Sequence, residues 1–183
     1  DVRGTGASFG SRAGFRSPAE RDDYGHLISW IVAQDWSDGG VGATGISYLG
    51  AASDFAASTG HPAVKAIAPL FSVWDTYADH ICPGGVPLKT ISGPYGEALW
   101  ALDVDNREAL RRFANWKDPN LDGPQPVDED ADGTLVAAAV REHAANFHIR
   151  DYLAEFQCRD DALLYDPSFT PAAFSPYTYS KYV

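Results

Sequence analysis

Residues Val41 to Ala57, VGATGISYLGAASDFAA, constrain this chain more than any other stretch. The apolar run Val41 to Ile46 predicts a short buried strand, and the Ala-rich residues after Ser47 predict a helix. A serine on a tight strand-to-helix bend holds its hydroxyl out from the sheet edge. Crowding at the bend favours small neighbours, here Gly45 and Gly50. The first amide N–H groups of the helix point to the same place and can hold a developing oxyanion. Ser47 is therefore a candidate acyl-transfer nucleophile. A plainer reading competes, because serine is a frequent helix N-cap. The usual elbow is also G-x-S-x-G, and Leu49 fills the second glycine's slot, with Gly50 one place late.

The flanking residues predict the topology. Ser17-Pro18-Ala19-Glu20 reads as a capping box with proline at the first helical position. Tyr24, Leu27, Ile28, Ile31 and Val32 then fall on one apolar helical face that ends near Gln34. Ser37-Asp38-Gly39-Gly40 turns into the strand at Val41. Gly60-His61-Pro62 stops the second helix, and Val64 to Ala68 predicts a second strand closed by Pro69. Strand, helix, strand in so short a span is a βαβ unit, hence parallel strands joined by a right-handed crossover. Ligands of such sheets bind beyond the carboxyl ends of the strands, where Ser47 lies. The fold class is α/β. From about residue 75 strand-like alternation ceases. Helical patterns at 97–100, 106–116, 134–147 and 151–156, separated by Pro/Asp/Gly loops, predict a helical layer.

Charge and composition narrow the partners. The 183 residues carry a net charge of −11 with 45% apolar residues, a globular balance that argues against nucleic acid or an anionic membrane surface. No apolar run reaches the length of a membrane span. Acidic charge and two cysteines fit a soluble cytoplasmic or exported protein without choosing between them. Cys82 and Cys158 lack metal-ligand spacing and are expected as buried thiols rather than a disulfide.

Other motifs fall short of a chemistry. Gly4, Gly6 and Gly10 miss the dinucleotide spacing, because Phe9 stands where the third glycine belongs. Asp128, Asp130, Asp132 and Gly133 begin like a calcium loop, but Ala139 replaces the bidentate glutamate, so an acidic helix cap is expected. No metal or organic cofactor is expected. Of five histidines, His26 and His61 read as structural, and His80, His143 and His148 fall in the helical layer. Trp74, Tyr77 and Trp100 are candidates to line an apolar acyl pocket.

Four phrases then carry a resemblance: DVRGTGASFG at 1–10, WIVAQDWSDGGVGATGISYLG at 30–50, HPAVKAIAP at 61–69 and DTYADHICPGG at 75–85. In this order and spacing the chain resembles the cocaine esterase / X-Pro dipeptidyl-peptidase (CocE/NonD) family of α/β-hydrolases. The likeness is strong over residues 1–85 and weaker through the helical part. That family uses G-x-S-Y-x-G, so the late glycine is its own form of the elbow. The resemblance implies Ser47 as nucleophile and the Tyr48 backbone N–H as half of the oxyanion hole. It implies a part of the hydrolase core over 1–75 and an inserted helical cap over 76–183. The family's other oxyanion donor, a tyrosine hydroxyl, and its Asp and His match no residue here. The sequence thus reads as the middle of a larger hydrolase, expected to be weakly active alone. The substrate is expected to be a small ester or amide, with an acyl esterase first and an X-Pro dipeptidyl-peptidase second. The peptidase would anchor a free amine on an acid such as Asp75, Asp79 or Glu97. A different class, a non-catalytic α/β segment that binds a partner through its helices, is the rival reading.

Overall fold

The structure, a computed structural model, describes residues 1–14, 17–73, 79, 82–113, 117–118, 120 and 122–154. The chain divides into two compact units, one of residues 1–15 with 87–156 and the other of residues 16–86 with 157–183.

In the second unit, Ser17 caps α1 (Pro18–Val32) by accepting the Glu20 N–H at 3.3 Å, with Pro18 at the first helical position. β1 (Val41–Ile46), α2 (Tyr48–Ser58) and β2 (Val64–Leu70) follow as a βαβ unit with parallel strands. Ile46 pairs with Leu70 at the carboxyl ends, and the register shifts between Val41 and Gly42. β2 runs past the expected stop at Pro69. Alternate strand residues face opposite edges, and Leu70 O and Ala68 O both accept from the β1 side. Pro69 therefore turns its missing N–H away from β1 and breaks no ladder bond.

Ile28, Ala56 and Ala63 form the buried core of this unit, with Val32, Val41, Ala43 and Val64 packed against them. β1 is not the buried strand its composition suggests. Val41, Ala43 and Gly45 are half-buried, whereas Gly42, Thr44 and Ile46 are exposed. One face packs on helices and the other stays open, so apolar composition alone cannot distinguish one-sided from two-sided burial. The α1 stripe is also partial: Ile28 is buried, Tyr24, Ile31 and Val32 are half-buried, and Leu27 is exposed.

The other unit holds α3 (Gly96–Asp103), α4 (Arg107–Leu110), α5 (Thr134–Glu142) and α6 (Ile149–Ala154), with a 3₁₀ turn at His143–Ala145. No strand occurs in it among the described residues. Among the described residues of the helical pattern expected over 106–116 there is the short α4 followed by a turn at 111–113, and the pattern over 134–147 ends α-helical geometry at Glu142. Residues 1–14 are stapled onto these helices. Arg12 is ion-paired with Asp103, both nearly buried, and its N–H donates to Asn146 Oδ1 at 2.8 Å. Asn146 Nδ2 donates to Gly4 O and to Asp103 Oδ2, each at 2.8 Å. The fully buried His143 ring lies between the carbonyls of Asp103 and Ser8, 2.8 Å from each.

The acidic loop before α5 acts as a cap. Asp130 accepts the N–H groups of Leu135 and Val136 at 2.9 and 2.8 Å, and Asp132 accepts the N–H and hydroxyl of Thr134. These bonds occupy the helix's otherwise unpartnered first amides. Among the described residues no cluster of three metal-ligating side chains is present, and no helix is long and apolar enough to cross a membrane.

Candidate active site

The turn between β1 and α2 has the geometry of a strained elbow. Ser47 has φ 61° and ψ −116°, outside even the left-handed helical basin. A side-chain-bearing residue rests there at a cost of about 1–3 kcal/mol, so surrounding bonds must impose the conformation. Two do so: Ser47 N–H donates to Leu70 O at 2.9 Å, and Ala51 N–H donates to Ser47 O at 3.0 Å. The first fixes the corner to the end of β2, and the second begins α2.

Ser47 is exposed, and its hydroxyl makes no capping bond to α2. It stands at the helix start without performing the N-cap's usual task.

The two glycines are required by close approach. A Cβ on Gly45 would lie 2.4 Å from Leu49 Cβ and 2.6 Å from the Leu49 carbonyl carbon. On Gly50 it would lie 2.7 Å from Leu70 O and 3.0 Å from Gly45 O. Most of these neighbours are backbone atoms that cannot rotate aside. Gly50 serves the bend although it falls one place beyond the common motif, because there it faces Leu70 O of the neighbouring strand.

Tyr48 takes the first position of α2, where first-turn amides and the helix dipole favour negative charge nearby. Its hydroxyl donates to Glu20 Oε2 at 2.7 Å, and the Tyr24 hydroxyl donates to Glu20 Oε1 at 2.5 Å. Glu20 is 1% exposed. The capping box is thus half made: Ser17 receives the Glu20 amide, but the Glu20 carboxylate serves two tyrosines instead of reaching back to Ser17. The residues Tyr24 and Glu20, four apart on a helix, gave a local hint of this, whereas Tyr48 lies 28 residues from Glu20.

The strand ends around the serine carry exposed apolar side chains, Ile46, Leu49, Leu70 and Phe71, which the sequence reading did not single out. Of the residues it did single out as pocket lining, Trp74 and Tyr77 lie outside the described residues. Trp100 is half-buried on α3, with its ring centroid 5.8 Å from that of His148. It also lines a cavity with Glu97, Asn106, Glu108, Arg112 and Phe113. Glu97 is paired with Arg150 at 3.0 Å.

The histidines divide by their bonds. His61 accepts the Ala63 N–H on Nδ1 at 3.2 Å, and its Nε2 lies 3.2 Å from Ser29 Oγ, which makes it part of the turn into β2. His26 is exposed on α1. His143 directs both ring nitrogens at carbonyl oxygens, and His80 lies outside the described residues. Cys82 is buried, and Cys158 lies outside the described residues.

Comparison with known proteins places these features in a family. Residues 1–156 match the family model of the X-Pro dipeptidyl-peptidases (S15 family). A Mycobacterium bovis protein, named provisionally as a serine esterase, is 39% identical over 169 residues, covering 91% of this chain and 26% of the relative. The cocaine esterase of a Rhodococcus species is 48% identical over 59 residues, 32% of this chain and 10% of the relative. A solved CocE/NonD family hydrolase from Staphylococcus aureus aligns over 66% of this chain and 20% of its own, with 30% identity and a TM-score of 0.47. This chain therefore spans 26% of the length of the first of these relatives. With more than half of its residues matched, the chain belongs to the X-Pro dipeptidyl-peptidase (S15) family of serine hydrolases.

Proposed function

We propose that Ser47 is the nucleophile of an ester or amide hydrolase, acyl-esterase-like in its preference. Ser47 Oγ attacks the substrate carbonyl carbon while a histidine takes its proton. The carbonyl oxygen becomes an oxyanion beside the Tyr48 backbone N–H. The intermediate collapses, the proton passes to the leaving alcohol or amine, and an acyl group stays on Ser47. Water, activated by the same histidine, then releases the acid and restores the hydroxyl. The family resemblance matches neither this histidine nor its acidic partner to a residue of this chain. No organic cofactor or metal has a step in this cycle. Residues 1–75 belong to the core of the hydrolase in this reading, and residues 76–183 to a helical cap.

The observation that carries the reading is the strained, exposed Ser47, with a hydroxyl that caps nothing and two glycines made necessary by contact. An esterase is preferred over a peptidase because the matching curated relatives bear esterase names.

The test uses the full-length protein that carries this segment. Fluorophosphonate labelling followed by mass spectrometry should put the adduct on Ser47. p-Nitrophenyl acyl esters should be hydrolysed faster than an X-Pro-p-nitroanilide, and Ser47→Ala should abolish both activities. The reverse preference would make the protein a dipeptidyl-peptidase. A folded protein with no adduct, and with activity indifferent to Ser47→Ala, would overturn the hydrolase reading and favour a binding role.

A further inference from the structure

Glu20 is a buried acid in the first turn of α1, 1% exposed. Burying a carboxylate is costly unless hydrogen-bond donors replace water. Two phenols do this, one on each oxygen, from Tyr24 at 2.5 Å and Tyr48 at 2.7 Å. The next residue, Arg21, reaches the other end of the same partner helix, donating Nε–H to Ser58 Oγ at 2.9 Å and also bonding Ser58 O. Consecutive residues of α1 thus grip the first and last residues of α2.

Either bond would help pack two helices. The Glu20 bond differs in what it holds. Tyr48 adjoins Ser47, and its backbone amide opens α2. With its hydroxyl held by Glu20, the Tyr48 side chain tethers its own Cα to α1 and so restrains the adjoining amide. Ser17 fixes the Glu20 backbone through its N–H, so the carboxylate projects from an anchored turn. The linkage runs from Ser17 to Glu20, to the Tyr48 hydroxyl, and to the Tyr48 amide.

We infer that Glu20 is a positioning residue for the reaction, fixing Tyr48 so that its backbone N–H meets the oxyanion formed when Ser47 attacks. This rests on the proposed hydrolase reading. Glu20 touches neither substrate nor serine. Its effect is on the transition state, since an oxyanion donor displaced by about 1 Å loses much of its value while substrate binding is spared.

The experiment compares Glu20→Gln, Tyr48→Phe and the double variant in the full-length protein, with active sites counted by fluorophosphonate titration. Tyr48→Phe keeps the ring and the backbone N–H and removes only the hydroxyl, so it remains informative if Glu20→Gln folds poorly. Each single variant should lower kcat per titrated site by about 10- to 100-fold with KM within about twofold. The double variant should be no worse than the poorer single, because both break one link. A trifluoromethyl ketone, which binds as a tetrahedral oxyanion, should lose affinity by the same factor. Wild-type kcat per site in Tyr48→Phe, or effects that multiply in the double variant, would overturn the positioning role even if melting temperatures fall. Full activity in Ser47→Ala would instead overturn the hydrolase reading, so the two failures are distinguishable.

Discussion

Replacing Ser47 by glycine should make the protein more stable than replacing it by alanine. At an ordinary helical position the order is the reverse, glycine being worse than alanine by about 1 kcal/mol. Ser47 is not ordinary: its φ of 61° and ψ of −116° penalise any Cβ. Relieving that strain returns about 1–3 kcal/mol, and the greater freedom of glycine in the unfolded chain takes back about 0.5–1 kcal/mol. The net is about 1 kcal/mol in favour of glycine, near a fivefold change in the folding constant. For a chain of this size that is about 2–4 °C in melting temperature. Alanine keeps the strain, and because the hydroxyl makes no cap bond its loss should cost little. Both variants lack the hydroxyl, so their difference isolates the backbone term. Ala57→Gly, inside the same helix, supplies the ordinary case and should melt lower than wild type. Circular dichroism melts of the four proteins suffice. Should Ser47→Gly melt below Ser47→Ala by the margin seen at position 57, the corner is unstrained and the elbow argument fails.

Other expectations follow from the same geometry. Gly45→Ala should destabilise by about 1–3 kcal/mol, since the new methyl meets Leu49 backbone. Gly42→Ala in the same strand, with its nearest neighbour 4.0 Å away, should change the melting temperature little; equal effects would remove the close-approach argument. Asp103→Ala leaves the buried Arg12 guanidinium without its partner and should cost about 3–5 kcal/mol by denaturant titration, against near silence if the pair were solvated. Asp132 is held below the ordinary carboxylate value of 3.8, mainly by the Thr134 hydroxyl and then by the Thr134 amide. Its capping contribution should be complete above that value and fade as pH falls through the lower folded one. Carboxyl NMR titration should show the depressed value, and Thr134→Val should move it upward; an unmoved titration would reject the bond.

What the sequence disclosed depended on how local the cause was. Ser17 before Pro18, and Gly60 after α2, mark helix ends through bonds that span a turn, and the structure has them there. The α/β class and the family were legible for the same reason: strand, serine, glycine and helix lie within one short stretch. Asp130 and Asp132 were readable as a cap because their acceptors serve amides a few residues on. The linkage from Glu20 to Tyr48 was not readable, because a glutamate at that place already had an adequate local role. The fastening of residues 1–14 to the helices was hidden more deeply. Arg12 and Asp103 are 91 residues apart, and Ser8 and His143 are 135 apart, with no periodicity connecting them. One-sided burial of β1 was also hidden, since it depends on what covers each face rather than on the strand's own composition.

The contrast between near and far partners has a temporal consequence. The corner at Ser47 is closed by its bonds to Leu70 and Ala51 within one βαβ unit, so little chain entropy opposes its formation. The Arg12, Asn146 and His143 fastening must wait for residues more than 90 positions away to arrive. In refolding, the amides of Ser47 and Ala51 should gain protection from hydrogen exchange before those of Arg12 and Phe147. The chain then acquires its strained corner early and ties down its leading end late.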